Sequence, residues 1–159
     1  MTIVAFTGHR PNKLSGYGPS DLQNWVRFHL KQELQKLNPE GCISGMALGV
    51  DQWAAEICND LHIPWVAAIP FRNQESQWPY ASQETYRKIL ATAYASCIVS
   101  PGPYAGWKLQ RRNEWMVDRA DVVLAVFNGS QGGTHNCLQY AGRMLKKIVI
   151  IDPSIDVPF

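Results

Sequence analysis

Three glycine-bearing turns carry most of the chemistry this sequence offers: Thr7-Gly8-His9-Arg10-Pro11, Ser44-Gly45-Met46-Ala47-Leu48-Gly49-Val50-Asp51, and Ser130-Gln131-Gly132-Gly133-Thr134. Each follows a short apolar run, and the last two lead into helical patterns. Small residues let the main chain approach an anion, and the unpaired N–H groups of a first helical turn point at it, so such turns suit a phosphate. Gly8, Gly45, Gly49, Gly132 and Gly133 are expected to allow that approach, with Ser44 and Thr134 as hydroxyl donors and Ala47 on the small-residue path between. His9 and Arg10 offer further donors to a phosphate or a ring. Asp51 is ambiguous: a carboxylate repels a phosphate, and as the cap or first-turn acid of a helix it needs no ligand. Taken singly, each turn reads equally well as strand-to-helix punctuation, with Arg10 a solvated charge and Thr134 an N-cap. The weight lies in the repetition of the theme.

A fourth contribution is Arg111-Arg112-Asn113 on a helix. Consecutive helical positions do not share a face, so one arginine points inward; Arg112 is the choice, because Met116 and Arg119 extend its face. Trp78, Tyr80, Tyr104 and Trp107 fall in long loops, where a planar base can stack or where rings cover the end of a sheet. His29 and His62 are assigned no role, and His135 is a minor candidate. Asp118 and Asp121 read as capping or surface charges.

Positioning these residues requires alternating elements. Apolar runs at Ile3–Phe6, Cys42–Ile43, Trp65–Ile69, Cys97–Val99, Val122–Phe127 and Ile148–Ile151 read as strands. Helical periodicity spans Asp21–Leu37, Asp51–Leu61, Ser82–Ala95, Gly106–Arg119 and Gly133–Leu145. The uninterrupted apolar run Val122–Phe127 suits a strand buried on both faces of a parallel sheet. Strands alternating with helices predict an α/β fold, a three-layer sandwich with a mostly parallel central sheet. With no repeat and no linker, residues 1–159 read as a single domain. The irregular stretches Asn12–Gly18, Asn73–Pro79 and Pro101–Trp107 all follow strands, so they gather at the carboxyl edge where open α/β sheets hold ligands.

Composition narrows the classes. The net charge of +2 over 159 residues is weak for a nucleic-acid binder, and Lys31, Lys36, Arg143, Lys146 and Lys147 are scattered. No run approaches a membrane span and no signal peptide opens the chain. Cys42, Cys58, Cys97 and Cys137 show no metal-ligand or disulfide spacing, which indicates reduced thiols in a cytoplasmic protein. No metal is expected.

The segments Thr7–Leu14, Ser44–Glu56 and Arg112–Asp118 resemble the YpsA-like branch of the SLOG superfamily, which also holds the LOG phosphoribohydrolases and the DprA single-stranded DNA binders. The resemblance implies a Rossmann-like fold that binds a nucleotide or nucleotide-derived ligand related to NAD or ADP-ribose. LOG-type enzymes carry an Arg-Lys pair and then a Gly-Gly-x-Gly-Thr-x-x-Glu turn. Arg112 matches that arginine, but Asn113 replaces the lysine and Cys137 the glutamate, while Gly132, Gly133 and Thr134 approximate the turn. The expectation is therefore a sensor or binding module for a small nucleotide, without another cofactor. The alternatives are an N-glycosidase with a relocated acid, Glu75 or Asp51, and a DprA-like strand binder. A homodimer through helix faces is common for this architecture.

Overall fold

The computed structural model describes residues 1–14 and 20–154, so the loop expected over 12–18 lies partly outside the described residues. The elements alternate along the chain as β1 (Ile3–Gly8), α1 (Asp21–Leu37), β2 (Gly41–Ser44), α2 (Val50–Asp60), β3 (Trp65–Ile69), α3 (Tyr80–Leu90), β4 (Ala95–Ile98), α4 (Trp107–Arg119), β5 (Val122–Val126), α5 (Gly133–Arg143) and β6 (Lys147–Ile151). All strands pair in parallel, in the order β4-β3-β2-β1-β5-β6. The chain thus winds outward from β1 to β4, returns to β5 and continues to β6. The two directions part between β1 and β5, which makes their carboxyl ends the crevice of the sheet.

Local chemistry explains the bounds. Ser20 caps α1 by accepting from the Gln23 N–H at 3.0 Å, and Asn38 closes it in the left-handed conformation with its N–H on Leu34 O. The first strand and β2 run longer than their apolar cores suggest. The helix expected to reach Ala95 ends at Leu90. Thr92 folds back so that its N–H meets Ile89 O, and its hydroxyl accepts from Asn59 Nδ2 of α2 at 2.8 Å; the chain then enters β4. The last helix stops at Arg143 because Leu145 takes a left-handed turn, φ 58°.

Helices cover both faces of the sheet. Val4, Phe6, Cys42, Trp65, Ala67, Leu124 and Val126 pack under α1, α2 and α3. Ala5, Ile43, Ala68, Val123 and Ala125 pack under α4 and α5. Every residue of β5 is buried, as expected for a strand enclosed on both sides. Among the described residues, no helix is long and apolar enough to cross a membrane.

Candidate functional site

The pairing of β1 with β5, Val4 on Val122 through Gly8 on Val126, sets the Thr7–Arg10 and Ser130–Thr134 turns side by side at the carboxyl edge. There they border a cleft of about 710 Å³. Gly8, His9, Arg10, Ala47, Asp51, Arg112, Asn113, Gly132, Gly133 and Thr134 all line it. Ser44, Gly45 and Gly49 do not form its lining, and their surroundings explain why.

These three residues, with Gly8, leave room that the protein's own atoms use. A Cβ on Gly8 would lie 2.6 Å from the Val50 side chain, and one on Gly45 2.5 Å from Arg112 Nη1. Gly49, at φ +93°, would place a Cβ 3.0 Å from His9 O and from Pro11 Cδ. The empty volume at each glycine is thus filled by the protein itself. The Ser44 hydroxyl, expected to donate to a ligand, donates instead to Asp51 O at 2.8 Å and accepts from the Met46 N–H. Asp51 itself occupies the first turn of α2, with Oδ2 accepting from the Ala47 N–H at 3.2 Å. The Asp51 carboxyl thus takes up the Ala47 N–H, one of the donors that the Ser44–Asp51 turn offers.

The turn at α5 is different. Its N-cap is Gly132, φ +143°, with no side chain capping it, so Thr134 is not the cap. The first intrahelical bond is Asn136 N–H to Gly132 O, which leaves the N–H groups of Gly133, Thr134 and His135 without a protein acceptor among the described residues. Among the described residues, nothing beyond its own helix backbone and chain neighbours lies within 4 Å of where a Gly133 Cβ would stand. Thr134 is 7% exposed, yet its hydroxyl bonds to no described residue. Lys13 reaches across to this turn, its ammonium donating to Ser130 Oγ (3.2 Å) and Gln131 O (2.8 Å). Sequence reasoning did not select Lys13 as a site residue. The signal was present in Pro11: it opens a 3-10 turn in which the Lys13 N–H bonds Arg10 O.

Arg112, 4% exposed, is the inward arginine of α4, while Arg111 is exposed. Nη1 donates to Gly45 O (2.6 Å) and Ala68 O (3.2 Å), and Nε to Asn113 Oδ1 (3.0 Å). Nη2 donates to no described residue, and Arg112 is part of the cleft lining. Met116 continues the buried face, whereas Arg119 is exposed over the Trp115 ring. Burial raises the Asp51 carboxyl above the ordinary range, with Arg112, the Ala47 N–H and Arg10 opposing that shift. Burial likewise lowers Arg112, against the pull of Asp51. His9 is buried, with Nε2 accepting from the Asn128 N–H at 3.0 Å; burial first, and Lys13 second, hold its pKa down. The proton therefore sits on Nδ1 in the neutral ring.

At the opposite end Phe71, Trp78 and Tyr104 line the cleft with Gln74, Ser76 and Gln77. Phe71 and Tyr104 meet edge to face at 5.3 Å, and Trp78 meets Tyr86 likewise. Tyr80 instead begins α3, its hydroxyl donating to Glu84, and Trp107 lies outside the lining beside the Lys108 ammonium. Gln74, whose amide donates to Gly45 O at 3.1 Å, carried no periodic signal because it sits in an irregular loop. Glu75 packs behind that wall, Oε2 3.9 Å from Arg87 Nε and Oε1 buried without a partner among the described residues, as is the Nδ1 of His135. Cys137 is buried and pushed up to about 11 by desolvation, so it is a thiol at neutral pH. Cys42, Cys58 and Cys97 are also free thiols. Among the described residues, no cluster of side chains fits a metal ion. Asp121 accepts from the Ile3 N–H and Asp118 from the Tyr140 hydroxyl, both structural roles.

Comparison with known proteins fits this geometry. A family model, YpsA, described as the YspA SLOG family, matches residues 4–150. The SPbeta prophage-derived protein YoqJ of Bacillus subtilis is 33% identical over 130 residues, spanning 72% of this chain and 76% of that protein. YpsA of Bacillus subtilis is 30% identical over 145 residues, 84% of this chain and 80% of that protein. Among solved structures, DprA from Streptococcus pneumoniae superposes with a TM-score of 0.66 at 15% identity, over 94% of this chain. This chain spans about half the length of that protein, 50%. The molybdenum cofactor binding protein from Rippkaea orientalis superposes with a TM-score of 0.61 at 18% identity, over 95% of this chain and 76% of its own. At these identities the two structures speak for the shared Rossmann-like fold. The chain belongs to the YpsA family of SLOG proteins.

Proposed function

We propose that the cleft takes a phosphorylated nucleoside, and that the protein works as a nucleotide sensor or binding module. The observation that carries this reading is the convergence of unpaired donors at one end. Three first-turn N–H groups of α5 and the Thr134 hydroxyl have no described acceptor, and Lys13 and Arg10 stand beside them. A phosphate satisfies all of these at once, and the helix dipole adds to the attraction. The aromatic end suits a base, and about 710 Å³ lies in the range of small-molecule sites, with room for an ADP-ribose-like ligand. A thermal-shift panel tests this: a nucleoside monophosphate at a hundredfold excess over its dissociation constant stabilises the fold by about 2.7 kcal/mol. The unphosphorylated nucleoside does far less; equal shifts from both sink the reading.

Asp51 favours a second reading, the N-glycosidase with a relocated acid, because it is a buried carboxylate in the cleft with its proton affinity raised. General acid catalysis contributes roughly 10²–10⁴-fold. Cys137, which stands where LOG-type enzymes have glutamate, cannot do that work. Our expectation is no release of free base from nucleoside monophosphates. Chromatographic detection of product, lost in Asp51→Asn, would promote the enzyme.

The charge argument against nucleic acid does not hold on its own. The single-stranded DNA binding protein DprA from Helicobacter pylori shares the fold, with a TM-score of 0.64 at 21% identity. Titration with oligothymidylate at two salt concentrations distinguishes a strand binder, whose affinity falls steeply with salt.

A further inference from the structure

The sheet order gives the cleft a direction. The donors of α5 follow β5 and those of His9 and Arg10 follow β1; Ala47 and Asp51 follow β2; Phe71 and Trp78 follow β3, and Tyr104 follows β4. Along β5-β1-β2-β3-β4 each step is about 5 Å. Asp51 therefore stands between the phosphate end and the aromatic end. In a nucleotide the group between phosphate and base is the sugar.

Asp51 is fixed there by bonds on both sides. Its Oδ2 accepts from the Ala47 N–H at 3.2 Å, and its own carbonyl accepts from Ser44 Oγ at 2.8 Å. Its Oδ1 accepts from no described residue and is open to the cleft. Arg112, held by Gly45 O and Ala68 O through Nη1, lines the same space, and its Nη2 donates to no described residue. A carboxylate oxygen facing the cleft disfavours an anion at that point, and with the Arg112 guanidinium in the same lining it complements a group that donates and accepts together. A vicinal diol is such a group.

Resting on the nucleotide reading above, we propose that Asp51 is a specificity-determining residue that accepts a hydrogen bond from the free 2′,3′-diol of a ribonucleotide. The ligand class then narrows to monomeric ribonucleotides and their derivatives with an unesterified diol. Internal residues of DNA or RNA strands, whose 3′ oxygens are esterified, lack that group. A carboxylate left without its donor in a dry site weighs heavily against the analogue.

The test measures dissociation constants of the wild-type chain for AMP, GMP, CMP and UMP and for their 2′,3′-dideoxy counterparts. For the best-bound base, loss of the diol is expected to weaken binding at least about tenfold. Asp51→Asn, which keeps the Ala47 bond through Oδ1 and turns an N–H toward the cleft, is expected to shrink that ratio to near one. Equal binding of the ribo and dideoxy forms by the wild type overturns the inference while leaving the phosphate site intact. Binding of none of the eight removes the nucleotide reading and this inference with it. The wild-type comparison decides the matter whether or not the Asp51→Asn chain folds.

Discussion

Replacing Arg112 with methionine isolates what this buried cation does. The side chain is 4% exposed and its guanidinium ties Gly45 of the β2–α2 turn to Ala68 of β3. Methionine keeps most of the apolar volume and removes the charge. Gly45 O retains the Gln74 amide at 3.1 Å, so the loss falls mainly on Ala68 O and on Asp51, whose charged form Arg112 favours more than Arg10 does. Leaving Ala68 O without its charged donor costs about 1–3 kcal/mol, and the attraction lost at Asp51 puts Arg112→Met near the upper end, about 3 kcal/mol. For a chain of this length that lowers Tm by roughly 6–12 °C. Urea denaturation with the m value held in view gives ΔΔG directly. The double variant Arg112→Met/Asp51→Asn removes the stranded charge and is expected to recover at least about 1 kcal/mol. A single variant within about 0.5 kcal/mol of wild type, or a double variant showing no recovery, refutes the assignment of Arg112 as the charge that holds this floor together.

The remaining predictions concern other parts of the cleft. His9 is neutral in the folded chain to lower pH than in the unfolded one, because burial and Lys13 oppose the imidazolium. Stability therefore falls as pH drops below about 6.5, with a slope of at most about 1.4 kcal/mol per pH unit, and His9→Gln removes that component. Gly49→Ala, strained at φ +93° and crowding His9 O, is expected to lose about 1–3 kcal/mol of stability in urea titration while its folded fraction binds nucleotide normally. Lys13→Met is expected to weaken nucleoside monophosphate binding about tenfold and to flatten its salt dependence, read by calorimetric titration at low and high salt.

Much of the fold was legible because local rules agreed with tertiary ones. The bounds of Asp21–Leu37 and Trp65–Ile69 follow from a cap, a left-handed Asn38 before proline, and an apolar run closed by Pro70. The end of α3 was not legible, since the residues after Leu90 suit a helix and contacts from other elements, Asn59 to Thr92 and the Tyr94 N–H to Trp65 O, draw them out of it. For the site, chain order placed the four loops at one edge, and the face shared with Met116 selected Arg112 over Arg111. What sequence does not reveal is whether a glycine makes room for a ligand or for the chain itself. Val50, Arg112 and His9 fill the volume at Gly8, Gly45 and Gly49, whereas the volume at Gly133 is empty. The same ambiguity hid the commitment of Ser44 to Asp51, a contact between residues seven apart.

A crystal structure of the protein with a bound nucleoside monophosphate tests the central claim most directly. The phosphorus is expected at the head of α5, its oxygens accepting from the Gly133 and Thr134 N–H groups and the Thr134 hydroxyl, with Lys13 and Arg10 alongside. A phosphate seated on the Ser44–Asp51 turn instead, against the Asp51 carboxylate, would contradict it.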